Sequence, residues 1–483
     1  MDWHTPSKED CSHFDPQIIY ETGLALHHIA NTAYPIGHIT TMRPYRIDRS
    51  AVQHFAPLGW QEVDRLGLYV HIPFCEKRCG FCEYAVVDPV TNASSQDLYF
   101  NLLLKEFTLY REAIQTPAKT LVGFDIGGGT PSTASVANIA SVLQAAQQHF
   151  ILPENVAISI ETTPKIAAME LEKMKAYYSM GIRRISMGVQ TINPRLLEAL
   201  GRTGTSLGYN QNAVENIRAA GFKSFNIDVM YGFAHQTLSS MEATLKHVIS
   251  LYPEHVTLYR TRYKGTRIAA QAENVSLENV TAQAEMAKQM LLEAGYAGTR
   301  GKNTFSRVPG SMGTSDYLTE RVIHGTPYLG LGLGAQSLSH KNLAYNSGAA
   351  DKRLDQYQRQ ILMGHLPIQD LYHLSREAAM GKMISVSFYF GEINLQSFAL
   401  KFGLALEDAF PEEVAFVIGN DLMAYHPAPD QPRTLRLTAR GEQTINGVIA
   451  LFYAGAVKAH LLNLAGTTAP VQIVSAPFEL VAS

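Results

Sequence analysis

Between Gly67 and Tyr263 short β-rich runs alternate six times with longer helical ones, and this alternation constrains the fold more than anything else in the 483 residues. GLYVHIPF, GFDIGGG, VAISIETT, RISMGVQ, SFNIDVMYG and HVTLYRTRY read as strands, rich in β-branched and aromatic residues and bounded by turn formers. Helical periodicity lies between them. In 95–114, Tyr99, Leu103, Phe107 and Tyr110 share one face, and 272–294 is a second helix closed by Gly295. Each strand–helix unit returns the chain to the same end of a sheet, so six in sequence predict an α/β fold with a parallel sheet. Six units rather than eight predict an open, partial (β/α)6 barrel. Function in such sheets sits at the C-terminal strand ends. Cys75, Gly127 to Gly129, Glu161, Gln190 and Asp228 all fall at or near those ends.

The rest of the chain follows other rules. Residues 1–60 have no steady period and read as an irregular N-terminal arm with one helix around Pro16 to Ile29, ahead of the barrel at 61–300. In 301–348 the Gly-spaced TPYLGLGLGAQSL is expected to form a strand and turn closing the open side of the barrel. Residues 349–483 read as a mostly helical, winged-helix-like domain, with a strand at TLRLT before a helix starting near Ala439. VIALFYAGAV is too short to span a bilayer and is expected to be a buried helix. A net charge of −3 with scattered basic residues leaves no electrostatic footprint for nucleic acid. MDWHTPSKED lacks the plan of a signal peptide, so a cytoplasmic location without membrane attachment is expected.

Three of the four cysteines, Cys75, Cys79 and Cys82, lie in CEKRCGFCEY immediately after the first strand, and Cys11 lies in the arm. Four cysteines in a chain this long do not make a disulfide framework, and their clustering points to metal or redox chemistry. A structural zinc site would need a fourth ligand, from His71 or a distant residue such as Cys11. The alternative is a cubane cluster, in which three thiolates leave one iron open to bind another molecule.

The CxxxCxxC spacing directly after YVHIPF resembles radical S-adenosylmethionine (SAM) enzymes, specifically the oxygen-independent coproporphyrinogen III oxidase-like (HemN-like) family. The resemblance covers roughly 66–265 and continues weakly through YLGLGLGAQS. It implies a [4Fe-4S] cluster on Cys75, Cys79 and Cys82, its open iron chelated by SAM, with one electron yielding a 5′-deoxyadenosyl radical. It implies that Gly127, Gly128, Gly129 and Thr130 of GGGTPS hold the methionine end of SAM, and that Glu161 holds SAM polar groups. Gln190 and Arg202 match residues near the cofactor, the Arg offering a planar fork to a carboxylate. Asp228 matches a strand-end acid suited to ribose hydroxyls or an amine. Tyr69 matches a tyrosine beside SAM and the cluster, which makes it the catalytic candidate, while His71 is expected to be a core histidine.

The family divides by reaction. Its coproporphyrinogen oxidases carry a further Cys two residues after the third ligand, where this chain has Tyr84, and residues 1–60 lack their N-terminal elements. Its heme chaperones carry a His-Asn-x-x-Tyr-Trp pattern, absent from TSDYLTERVIHGTPYLGLG. The remaining subgroup, the methylases and cyclopropane-forming enzymes of natural-product pathways, keeps only three cysteines and binds two molecules of SAM. The departures make methylation or cyclopropanation of an unsaturated small molecule the expected reaction, ahead of oxidative decarboxylation and heme handling. An electron donor such as flavodoxin or ferredoxin is implied, and for the methylase subgroup a partner methyltransferase. Arg260, Arg262, Lys264 and Arg267, after the sixth strand, are candidates to meet an anionic substrate.

Overall fold

The computed structural model describes residues 2–27, 29, 34–87, 93–114, 118–202, 206–263, 265–428 and 431–466. All six expected strands form: β1 (Arg65–Ile72), β2 (Thr120–Gly128), β3 (Ile158–Thr162), β4 (Ile182–Gln190), β5 (Phe225–Tyr231) and β6 (His255–Arg260). Each pairs in parallel with the next. Their apolar side chains are buried on both faces, because helices cover the outside and the chain fills the inside. Leu66, Leu68, Val70 and Ile72 of β1 are fully buried, each worth about 2 kcal/mol against exposure. The helix Ala93–Ile114 lies outside, with Tyr99, Leu103, Phe107 and Tyr110 buried as its periodicity predicts.

Further strands widen the sheet. β7 (Thr304–Ser306) runs antiparallel on β6, and β8 (Tyr328–Leu331) runs parallel to β1. β9 (Gln336–Leu338), β10 (Asn342–Asn346) and β11 (Ile368–His373) continue beyond β8. The eleven strands are ordered β11-β10-β9-β8-β1-β2-β3-β4-β5-β6-β7, and among the described residues no ladder joins the two edges. The Gly-spaced segment thus lengthens the sheet at β1. The chain between β7 and β8 passes from one side to the other, and its helix Asp316–Thr319 lies against β1 and β2. A Cβ at Gly123 would stand 2.2 Å from the Tyr317 nitrogen, so that approach requires glycine.

A second core joins the two ends of the chain. The arm forms more helix than its pattern suggests, over Pro16–Ala25, His38–Thr41 and Val52–Leu58. Ile19, Tyr34, Met42 and Tyr45 bury against Ile384, Phe398, Val448 and Phe452. This half carries a three-stranded sheet, β12 (Glu392–Asn394), β13 (Met423–Ala428) and β14 (Gln431–Leu437), and the helix expected near Ala439 spans Ala439–Gln443. VIALFYAGAV is buried but is not one helix: Val448–Leu451 end the helix Ile445–Leu451, and Gly455–Val457 begin the helix Gly455–Leu464. No described helix is long and apolar enough to cross a membrane.

Candidate active site

The loop leaving β1 is held at several points, which fixes where its sulfurs face. Val87 N donates to Pro73 O at 2.7 Å, Gly80 N to Leu200 O at 2.8 Å, and Arg267 N to Gly80 O at 3.0 Å. Arg267 thus serves the loop through its backbone, and Lys264 lies outside the described residues. Cys75, Cys79 and Cys82 all line a cavity of about 1260 Å³ at the strand ends. Burial pushes the Cys75 thiol up to about 12 despite Thr130 Oγ1 at 3.5 Å, so its thiolate needs a metal cation beside it. Among the described residues no three His, Cys, Asp or Glu side chains gather closely enough to hold a single metal ion. A cubane makes no such demand, because each thiolate binds a different iron.

Next to the cysteines the end of β2 supplies backbone. Gly129 N donates to Ile72 O and Thr130 N to Phe74 O, each at 2.8 Å, so the glycine loop is laced to the start of the cysteine loop. Gly128 sits at φ +123°, and a Cβ there would lie 2.7 Å from the His71 ring. At Gly127 it would press at 3.0 Å on both Glu161 Oε1 and the Tyr69 ring. Only glycine leaves room for these side chains around the loop.

Glu161 accepts from Gly128 N at 3.0 Å. Its carboxyl is open to the cavity but walled by protein, and burial, followed by the charge of Asp228, raises its pKa to about 8. Asp228 is also raised by burial, although Asn226 Nδ2 at 2.6 Å and Ser186 Oγ at 3.2 Å donate to it. Two acids that resist ionising together form a site for a cation, which would let both hold their charge.

Between β3 and β5 the end of β4 is re-aimed. The register slips between Gly188 and Gln190, and Gln190 takes φ +68°, a conformation costly for a residue with a side chain. Among the described residues Gln190 Oε1 is buried with no hydrogen-bond partner. Arg202 Nη2 donates to Gly188 O, Nη1 stands 3.9 Å from Cys79 Sγ, and Nε has no partner among the described residues. Strain and orphaned polar atoms here mark places for ligand atoms.

Tyr69 lies behind this front, stacked on Tyr317 at 5.9 Å and 3.1 Å from His71 Nδ1. It touches the Gly127–Glu161 wall without lining the cavity. His71 is the expected core histidine: Nε2 is 2.8 Å from Ala85 O, and burial lowers its pKa to about 4. Cys11 is exposed on the arm, outside the cavity lining. Arg260 and Arg262 do line the cavity.

Sequence reading missed two groups. Beneath the acids, Arg184 donates to Ser159 Oγ at 3.4 Å, and Ser315 donates to Asp125 Oδ2 at 2.6 Å. Burial raises Asp125 to about 6. The signal was a polar residue pointing inward from an otherwise apolar strand. Tyr259, Phe388 and Tyr389 line the same cavity as an aromatic wall. The latter two come from the C-terminal half, and no local pattern announces that meeting.

The comparisons agree with this geometry. Residues 69–248 match the radical SAM superfamily. A heme chaperone, HemW, of Haemophilus influenzae is 34% identical over 198 residues, 40% of this chain and 50% of that one. The chain therefore spans about half the length of that curated relative. An oxygen-independent coproporphyrinogen III oxidase of Cereibacter sphaeroides is 28% identical over 362 residues, 72% of this chain and 77% of that one. Coproporphyrinogen III oxidase (HemN) from Escherichia coli has the same fold, with a TM-score of 0.70 at 23% identity over 91% of this chain and 99% of that one. The chain is a radical SAM protein of the HemN-like family.

Its cofactors are accordingly a [4Fe-4S] cluster and SAM. The residues present fit them: three cavity-facing cysteines, one of which needs a cation to ionise, and two acids, an orphaned amide oxygen and an orphaned guanidinium N–H around one space. The fold-level likeness reaches far beyond 66–265. The expected methylase subgroup finds no counterpart among these relatives, which are oxidases and a chaperone.

Proposed function

We propose that this protein is a radical SAM enzyme that oxidises a carboxylate-bearing tetrapyrrole by hydrogen abstraction, in the manner of coproporphyrinogen III oxidation. The observation that carries this is one shared cavity, lined by the cysteines, by Glu161 and Asp228, and by Arg260, Arg262 and an aromatic wall. At about 1260 Å³ it exceeds the ~300–1,000 Å³ of ordinary ligand pockets, as a nucleoside cofactor beside a macrocycle requires. When bound, the cluster and SAM supply a 5′-deoxyadenosyl radical.

The chain's own residues hold the reactants. Cys75, Cys79 and Cys82 hold the cluster. Glu161 and Asp228 favour the cationic amine of SAM, Arg202 directs its remaining N–H at a carboxylate, and the glycine loop offers backbone groups. Tyr69 fixes the wall behind Glu161 through its stack on Tyr317, so we assign it a positioning role. Arg260 makes no ion pair among the described residues and is free to take a substrate carboxylate. Arg262 is shared between Glu83 at 3.3 Å and Tyr389 OH at 3.2 Å. Residues of the arm and of the C-terminal half, such as Ile36 and Phe388, wall the cavity and exclude water.

The test is anaerobic incubation with reductant, SAM and coproporphyrinogen III. Loss of carbon dioxide coupled to 5′-deoxyadenosine formation is the expected result. Stoichiometric heme retention without coupled turnover would favour a chaperone role. Tyr84, on the cavity wall where the oxidases have cysteine, favours a second reading, methyl transfer from a second SAM. Methyl-deuterated SAM distinguishes the two, because only methyl transfer puts deuterium into 5′-deoxyadenosine.

A further inference from the structure

A second, small cavity lies where the β8–β9 edge of the sheet meets the helix Arg376–Ser387. It is about 10 Å³, room for one water-sized occupant, and its lining includes Arg321, His340, Lys382 and Lys401 but no carboxylate. Lys382 is 3% exposed. Among the described residues its ammonium reaches only two oxygens, Tyr34 O and Gln336 Oε1, both at 3.4 Å. Gln336 Oε1 is already claimed, because Arg321 Nη2 donates to it at 3.4 Å and Tyr328 OH donates as well. Lys401 donates to Gly325 O. Arg321 stacks on Tyr328 at 4.3 Å. None of these three cations forms an ion pair among the described residues. The acids that reach the group electrostatically are Asp125, which feels the charge of Arg321, and Glu62, beyond His340, which is two-thirds exposed and 3.9 Å from Lys341. Donors outnumber acceptors here, and like charges stand together with no carboxylate in the lining, an arrangement native interiors avoid unless something balances it.

We propose that this cavity is a binding site for a single monatomic anion of the halide class, held by Lys382, Arg321 and Lys401. Its size excludes phosphate and sulfate, and its charge favours an anion over water. The ion would tie β8 and β9, which continue the barrel sheet, to the C-terminal helix carrying Lys382. It shares no lining residue with the cavity that holds the cysteines. Lacking such an ion, the cluster is left with its charges opposed: burial, with Arg321 and Lys401 adding to it, lowers Lys382 to about 7, and burial lowers Lys401 to about 8.

The test is thermal unfolding of the full-length holoprotein at constant ionic strength, in chloride, bromide, sulfate or gluconate. Chloride and bromide should raise Tm by a few degrees, saturating with concentration, whereas sulfate and gluconate should not. Lys382→Met keeps the bulk without the charge, and should fold and lose the halide response while still cleaving SAM. Crystals grown in sodium bromide should show an anomalous peak between Lys382, Arg321 and Lys401. Equal Tm in all four salts, or a bromide crystal with no peak there, would overturn the proposal and leave a water beside a neutral lysine.

Discussion

Two glutamates, Glu106 buried in one region and Glu161 open to the cavity in another, separate what holds this molecule together from what it does. Glu106, on the helix Ala93–Ile114, is fully buried beneath the turn after β8 and accepts three hydrogen bonds: Tyr357 OH at 2.6 Å, Asn346 Nδ2 at 2.8 Å and Gly332 N at 2.9 Å. Glu161, at the end of β3, accepts one from Gly128 N and faces the large cavity. Both are pushed up by burial, Glu106 to about 7 and Glu161 to about 8, so pKa alone does not tell them apart. Saturation does. A carboxyl whose oxygens are claimed by protein donors fastens structure, whereas one with capacity to spare, beside another acid, is arranged for a ligand.

The largest expected effect lies on the ligand side. Cys75→Ala, Cys79→Ala or Cys82→Ala should abolish 5′-deoxyadenosine formation, assayed anaerobically with dithionite and SAM, and lower the iron and sulfide content. Persistent cleavage at the wild-type rate in any of the three would break the assignment of this region. On the structural side, Glu106→Ala strands three buried donors and should lower unfolding free energy by about 3 kcal/mol or more. Denaturant unfolding measures the loss, and SAM affinity measured on the same variant should stay within about twofold.

A pH series sharpens the contrast. Glu106 titrates near 4.5 when unfolded and at about 7 when folded, so the folded state holds the extra proton between those values. Its contribution is complete below about 4.5 and is lost as pH rises through 7, a fall of about 3 kcal/mol. Asp125, raised to about 6, acts with the same sign. Followed from pH 5 to 8, wild type should therefore lose stability relative to Glu106→Gln as pH rises, the comparison cancelling groups such as His71 and Lys382 that burial lowers and that act with the opposite sign. A difference between the two that stays constant or moves the other way would contradict the burial of Glu106.

How far the sequence foretold this difference depends on range. The strands of the parallel sheet were legible because each is an apolar run cut off by turn residues, and the cysteine and glycine loops because they follow strand ends directly. Gln190 and Arg202 were placed by resemblance, but the bulge that re-aims Gln190 was not, because one skipped pairing leaves no local signature. Glu106 was passed over although it sits among Tyr99, Leu103, Phe107 and Tyr110. A charge on an apolar stripe was the clue, but its partners are Gly332, Asn346 and Tyr357, more than 220 residues away. The Lys382 cavity and the aromatic wall likewise depend on meetings between distant segments, which spacing cannot report.

The smallest effect is the most discriminating, because it asks whether Glu161 is held for a ligand. Glu161→Gln keeps an acceptor for Gly128 N and removes the repulsion with Asp228, so stability should not fall. SAM, bringing a cationic amine, loses an ionised partner and should bind about tenfold more weakly, worth ~1.4 kcal/mol. The pH dependence has a definite sign. Below about 8 Glu161 is mostly protonated, and a cationic ligand must expel that proton. Relative to the variant, wild-type affinity should therefore strengthen as pH rises from 7 towards 9, the loss of the amine's own proton in that range being common to both. Equilibrium binding of SAM to the reconstituted protein at several pH values measures both. Parallel profiles for wild type and variant would mean that Glu161, like Glu106, serves only the fold, and the distinction between the two regions would have to rest on the cysteines alone.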